Sequence, residues 1–431
     1  MTYGPRTFLS GVLSFLIALL FFIPLSAEDK PDPETIRKKA IAGDRNAMFE
    51  LGTAYFQGAS GIRRNETLAA YWFRKAAEAG LPDAMYNYAL CLNQGIGVKR
   101  DLFDGYDWMK KAADTGLKDA KFQLLLTDLR GIPADPEKKR EAKPPLPSYA
   151  YSQLKILADE HYIPAELFIA EYFLRKGSSA EEVDRGIGIL KRLAGLPEPP
   201  AEALRMLADC HYEGRGSLPR DTNEMLRLLR LASKRGDAEA LGKLAFCYEY
   251  GRGVESDLKK AENLYRISAL RGNAMSQFKY AEFIANGTLS GNPDVRKAIP
   301  WYEKAMKQNN PQAAFRLGVF HLEGIGMEKD ERKAAQLFLA AARQNYARAQ
   351  YNLGCMYAAG LGDLLKDETA AVYWFTLAAK GGDAAALRVL GLRYLEGRGV
   401  KRSITTGERL LRQAVEKGDL EAAELLRTRI F

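Results

Sequence analysis

Reactive side chains are few in this sequence, and each set implies a particular chemistry by its type and spacing. The stretch AFRLGVFHLEGIGMEKD (Ala314 to Asp330) carries a G-x-G at Gly324 and Gly326. Such a pair cradles phosphate when it stands between a strand and a helix N-terminus. Here it follows an apolar helical pattern, at the end where a helix dipole is negative, so it reads as a helix stop. Acid/base work needs two carboxylates facing one bond, but Glu181 and Glu182 are adjacent, and neighbours on a helix diverge. The three histidines, His161, His211 and His321, are scattered, and Cys91, Cys210, Cys247 and Cys355 form no Cys-x-x-Cys or His/Cys spacing. We expect no catalytic residue, no metal and no cofactor.

The elements that hold these residues recur at a fixed distance. Taking Gly318 as an anchor, equivalent small or apolar residues stand at Gly52, Ala89, Leu125, Ala170, Ala208, Ala245, Ala281, Gly354 and Gly391, 36 to 38 residues apart except for one gap of 45. Six residues later a glycine recurs, at Gly58, Gly95, Gly131, Gly214, Gly251, Gly287, Gly324, Gly360 and Gly397, with Gly177 one place late. A period of this length marks a stacked array of helical hairpins. The first helix of each unit is expected to start at a cap such as Asp83, Asp237, Asn273, Asn310 or Asp383 and to end at the glycine. The second starts at Asn65, Asp101, Asp221, Asp257, Asp330, Asp367 or Ser403. All four tryptophans (Trp72, Trp108, Trp301, Trp374) share one place on it, with Ala76, Ala112, Ala305 and Ala378 allowing close approach between units. His211 and His321 occupy a place filled elsewhere by Tyr55, Tyr248, Tyr357 and Tyr394, which suits ring packing. The cysteines read as small apolar residues, too far apart in neighbouring units to pair.

The chain has 431 residues, 47% of them apolar and 27% charged, with a net charge of +9. No basic run with interleaved aromatics points to nucleic acid. The N-terminus differs from the rest: Arg6, an apolar run from Phe8 to Ile23, then Pro24, Ser26 and Ala27 read as a secretory signal cleaved after Ala27, or alternatively as an inner-membrane anchor. Either way the repeats face outside the cytosol, with a bacterial periplasm favoured by the absence of a retention signal at RTRIF. Asn65 and Asn286 lie in N-x-[ST] sequons that matter only in a eukaryotic secretory route; Asn65 is read as a helix cap.

The pattern A-x-x-x-L-G-x-x-Y-x-x-G-x-G-V, a cap, then A-x-x-W-x-x-K-A-A-x-x-G resembles the Sel-one-like repeat (SLR), a relative of the tetratricopeptide repeat (TPR). AQYNLGCMYAAGLG with YWFTLAAKGG, and NAMFELGTAYFQG with YWFRKAAEAG, carry the resemblance, which covers nearly all of residues 33 to 431. It implies an all-α, right-handed α/α superhelical solenoid whose first helices line a concave groove, used as an adaptor for other proteins. The expected organisation is a signal peptide over 1–27, an N-terminal cap helix within 28–43, repeats over 44–130, degenerate repeats with Pro-rich joints over 131–201, repeats over 202–418, and a C-terminal cap helix over 419–431. The inserts GIPADPEKKREAKPPLPSYA and GLPEPPA are expected to kink the stack. Cysteine-rich relatives pair cysteines within each repeat; this chain lacks that pairing, so their disulfides and the β-lactam handling proposed for them do not carry over.

A helical wheel puts positions two before, one after and five after the anchor on the face opposite the core. These are Glu50, Thr53, Gln57, Asn87, Leu90 and Gln94 in the first two units, and Lys243, Phe246, Tyr250, Lys279, Glu282, Asn286, Arg316, Val319, Glu323, Asn352, Cys355 and Ala359 in units six to nine. Lys243, Lys279 and Arg316 stand in register, which suggests either a cationic ladder for an acidic or C-terminal peptide segment or a solvated face. The candidate partner-binding groove is Lys243, Phe246, Tyr250, Lys279, Glu282, Asn286, Arg316 and Asn352. The function expected is a secreted or periplasmic adaptor that binds a partner protein or peptide, with no role for nucleic acid. A periplasmic regulator of a membrane sensor protein is the alternative, followed by an enzyme acting on peptidoglycan or β-lactams.

Overall fold

The computed structural model describes residues 33–59, 61–177 and 179–428. The expected signal segment, residues 28–32 and the last three residues lie outside them. Among the described residues the chain is all-α, with twenty-two helices and two isolated β-bridges. It divides after Ile189 into two compact units. The first contains α1 (Pro33–Ile41), α2 (Arg45–Gln57), α3 (Glu66–Glu78), α4 (Pro82–Gln94), α5 (Leu102–Asp114), α6 (Lys118–Arg130), α7 (Pro147–Asp159), α8 (Ile163–Lys176) and the start of α9 (Ala180–Ala194). The second contains the end of α9, then α10 (Ala201–Glu213), α11 (Thr222–Lys234), α12 (Ala238–Tyr250), α13 (Leu258–Leu270), α14 (Ala274–Asn286), α15 (Val295–Lys307) and α16 (Pro311–Glu323). It is completed by α17 (Glu331–Ala342), α18 (Ala347–Ala359), α19 (Glu368–Lys380), α20 (Ala384–Glu396), α21 (Ile404–Glu416) and α22 (Leu420–Thr428).

The even-numbered helices α2 to α20 carry the ten anchors and are the first helices of the repeats; α3 to α21 are the second helices. The helices stop and start where local chemistry dictates. Asp237, Asn273, Asn310 and Asp383 each accept a backbone N–H of the following turn, as do all seven expected caps of second helices. Asp83 does not: the cap position of α4 is Leu81, with Pro82 opening the helix, so Asp83 lies inside the first turn. Gly324 ends α16 in the left-handed region (φ 72, ψ 31), its N–H bonded to the Phe320 carbonyl. Gly177, by contrast, ends α8 at φ −52, ψ 116, outside that region.

The second glycine of G-x-G has a separate role. A Cβ on Gly97 would overlap the Glu66 carbonyl at the start of α3, and one on Gly399 the Glu368 carbonyl at the start of α19. The helix stop therefore doubles as a close contact between consecutive repeats. Within a repeat, the anchor lies under an aromatic ring of the second helix. A Cβ on Gly318 or Gly354 would stand 2.7 Å from a ring carbon of Phe338 or Phe375. Where the anchor is Ala245 or Ala281, the ring is a buried tyrosine, Tyr265 or Tyr302. The tryptophans bridge units as expected: Trp108 of α5 packs edge-on against Tyr88 of α4 and into the core of α3 and α4, and Trp374 of α19 packs into the core of α16 to α18. Ala76, Ala112, Ala305 and Ala378 are fully buried.

The insert between α6 and α7, read from sequence as an interruption, folds as a small hairpin with bridges Ile132 to Lys143 and Asp135 to Arg140. It docks onto α5. Lys138 and Arg140 reach the buried carboxylate of Asp101, the cap of α5, while Arg140 bonds Asp104 at 2.8 Å and the Lys143 ammonium lies 3.8 Å from the centre of the Tyr106 ring.

Candidate functional site

In the second unit the expected groove positions fall on α12, α14, α16 and α18, and ion pairs tie several of these first helices to the one before. Lys243 of α12 bonds Asp209 of α10 at 2.9 Å and also reaches Glu239. Lys279 of α14 bonds Glu249 of α12 at 2.9 Å, and Arg316 of α16 bonds Glu282 of α14 at 2.8 Å. Two of the carboxylates have a second partner from the core: the buried Tyr265 hydroxyl donates to Glu249 and the buried Tyr302 hydroxyl to Glu282. A tyrosine in the slot filled by phenylalanine in other repeats brings a hydroxyl that must be satisfied, and the carboxylate satisfies it while neutralising the cation of the next repeat.

The electrostatics follow from this pairing. Burial works against the charged forms of Lys243, Lys279 and Arg316, yet their carboxylate partners outweigh it and hold all three above their ordinary pKa. Burial pushes Asp209 up, with Lys243 opposing. Burial and the neighbouring carboxylate together push Tyr265 and Tyr302 far up, so both hydroxyls remain donors. The register of three cations is therefore real, but it is not a ladder of free charges. The sequence signal for the missed partners is opposite charge at consecutive repeats: Asp209 and Glu282, one after their anchors, face Lys243 and Arg316, two before the next.

The remaining positions separate into two groups. Phe246 and Tyr250 stack on α12 with ring centres 4.7 Å apart, 38% and 52% exposed, and Lys279 places its ammonium 5.3 Å from the Tyr250 ring centre and 3.1 Å from its hydroxyl. This aromatic pair with its fixed cation is the most built feature of the face. Asn286, exposed at the end of α14, and Asn352, half-buried on α18, have no hydrogen bond that joins them to it. In the first unit the wheel fails at Asn87 and Leu90, both only 6% exposed. Leu90 joins the core formed with Met109, Ala112 and Ala120, covered by Leu117 and Leu124 of the next repeat.

The residues weighed for chemistry stay apart. His211 and His321 are half-buried, each with an Nδ1 that lacks a hydrogen-bond partner, and burial and then Lys333 lower the pKa of His321. His161, in a left-handed turn (φ 58), reaches Glu166 at 3.3 Å. Glu181 pairs with Arg185 on its own helix. The four cysteines are free; burial raises every thiol, Cys91 to about 12 and Cys210 to about 11. Among the described residues no group of three or more His, Cys, Asp or Glu is placed to hold a metal ion, and no helix is long and apolar enough to cross a membrane.

Comparison with known proteins agrees with this architecture. A protective antigen of uropathogenic Escherichia coli, described as displaying an SLR fold, matches with a TM-score of 0.50 and 27% identity, covering 91% of this chain and 81% of that one. A DAP3-binding cell death enhancer of Rattus norvegicus is 30% identical over 59% of this chain. The chitin synthase regulator SKT5 of Saccharomyces cerevisiae is 27% identical over 65%. The chain spans only 41% and 40% of the lengths of those two relatives. The Sel1 repeat model matches eight times, at residues 45–81, 82–117, 201–237, 238–273, 274–310, 311–346, 347–383 and 384–419, and the chain belongs to the Sel1 repeat family.

Proposed function

We propose that this protein is an adaptor that receives a segment of a partner protein on the first-helix face of its second unit, with Phe246 and Tyr250 as the anchor. Sel1 repeat proteins are protein-interaction adaptors. One observation favours this face: two exposed rings are stacked and held beside Lys279, while the surrounding charges are already paired. Large rings fixed before binding cost little ordering entropy and are the common anchors of interfaces. The scattered histidines and raised thiols support a binding role over catalysis. The N-terminal order of Arg6, apolar run, Pro24 and Ala27 supports a place outside the cytosol, periplasmic in a bacterium, and hence a cell-envelope partner. A regulatory output by the same binding is supported by the chitin synthase regulator among the relatives.

The test is purification of the full chain with its partners from the native membrane and soluble envelope fractions. Phe246→Ala/Tyr250→Ala is expected to lose the partner, with affinity down on the order of a thousandfold, since two such anchors contribute about 2 kcal/mol each. Tyr71→Ala/Tyr373→Ala, which removes exposed rings from second helices, is expected to keep it. Equal retention by both variants sinks the assignment to this face.

A further inference from the structure

The net charge of +9 is not evenly spread. In the second unit, the first helices α10, α12, α14 and α16 carry four cations against seven carboxylates. The second helices α11, α13, α15 and α17 of the same repeats carry twelve cations against four carboxylates. The two sets differ in pairing as well. The first-helix cations are each matched by a carboxylate. On and just beyond the second helices, Arg230, Lys234, Lys259, Arg296, Lys307 and Arg343 are exposed and have no carboxylate partner among the described residues.

Their spacing places them in rows. Arg230 and Lys234 lie four apart on α11, beside Arg227, which pairs with Glu224 of the same helix, and opposite the buried Met225, Leu226, Leu228 and Leu229. Arg296 and Lys307 are three turns apart on α15, with the exposed Glu303 between them as the one carboxylate of that helix, and Lys259 and Arg266 line the outer side of α13. Leu270 extends that last row, 63% exposed. The second helices α3 and α5 of the first unit instead balance the two signs, with four cations against five carboxylates.

We propose that the second-helix side of residues 222–343 docks on the anionic surface of a phospholipid bilayer. The cations lie on three separate helices and just past the end of a fourth, about a helix diameter apart, and do not converge on one pocket. That geometry suits laterally mobile anionic headgroups better than a single small anion, and an exposed leucine among the cations adds apolar contact at the headgroup level. The apolar run from Phe8 to Ile23 is expected to bring the chain to a membrane during export, where such a surface is present. Docked this way, the acidic first-helix side is left free for the protein partner.

Vesicle co-sedimentation of the full chain tests this, with phosphatidylcholine vesicles containing phosphatidylglycerol compared with phosphatidylcholine alone. Binding is expected only to the anionic vesicles and is expected to weaken as salt shortens the screening length. The variant Arg230→Glu/Lys259→Glu/Arg296→Glu/Lys307→Glu is expected to lose more than about a hundredfold in partition, at about fivefold per cation removed from the surface. Should it fail to fold, the same four positions changed to Gln give a milder set with the same direction. Lys38→Glu/Lys39→Glu/Lys110→Glu/Lys155→Glu makes the same change of net charge in the first unit and is expected to keep binding. Equal loss in this control, unchanged binding in the stripe variants, or equal binding of the parent to neutral vesicles overturns the proposal. Retention of the parent on heparin without vesicle binding overturns the choice of a lipid surface.

Discussion

The pairing of Glu249 with Lys279 makes a quantitative prediction about how neighbouring repeats are coupled. Glu249 is 14% exposed and accepts from both the Lys279 ammonium and the Tyr265 hydroxyl; Lys279 is 23% exposed. Lys279→Met leaves a largely buried carboxylate with one neutral donor. An unpaired, fully buried charge costs about 3–5 kcal/mol, and the residual exposure here brings that to about 2 kcal/mol. Glu249→Gln keeps an acceptor for Tyr265 and leaves Lys279 beside the Tyr250 hydroxyl, costing about 1 kcal/mol. The double variant removes both charges and is expected to cost about 1 kcal/mol rather than the summed 3, a coupling of about 2 kcal/mol. Repeat arrays need not unfold in one step, so urea unfolding by circular dichroism should be accompanied by amide exchange resolved to α12–α14. Lys243 and Asp209, whose side chains are 33% and 38% exposed, serve as the internal comparison with an expected coupling of about 0.2–1 kcal/mol. Additive costs at Glu249 and Lys279 would refute the reasoning, because the pair would then behave as a solvated surface contact.

Two further outcomes follow from the fold. Gly97→Ala is expected to destabilise by about 2–5 kcal/mol, combining left-handed strain with overlap on the Glu66 carbonyl, whereas Gly80→Ala, with open space around it, costs only about 1–2 kcal/mol of strain; unfolding midpoints that rank them equally would remove the close contact as an explanation. Burial works to raise Asp101, but the Lys138 ammonium, the Asp104 N–H and Arg140 outweigh it and hold its pKa below the ordinary carboxylate value. Its contribution to hairpin docking is therefore present above the unfolded value of about 3.9 and lost as pH falls through the depressed folded one. Amide exchange at Ile132 and Lys143 should accelerate in that acid range in the native chain and already be fast at neutral pH in Asp101→Ala.

By itself the sequence determined the repeat, because the residues that make it act over short range. An aspartate or asparagine bonds the N–H groups two or three residues on, a glycine ends the helix six residues past the anchor, and a small anchor leaves room for the ring that Phe338 or Phe375 supplies. The positions of Phe246 and Tyr250 on an exposed face were also legible, since a helical wheel needs only the period. Partners across repeats were not. Whether Lys279 is free or paired depends on how α14 lies against α12, and nothing within either helix states that distance. Asn87 and Leu90 were misjudged for the same reason, as a wheel knows its own axis but not the helix that covers it. The hairpin at 131–146 shows the limit from the other side: proline and lysine content marks a loop, but only the juxtaposition with Asp101 and Tyr106 turns that loop into a docked element. Contacts local in the chain are written in residue order, whereas burial and charge pairing are set by neighbours distant in the chain, and those were decided only by the tertiary structure.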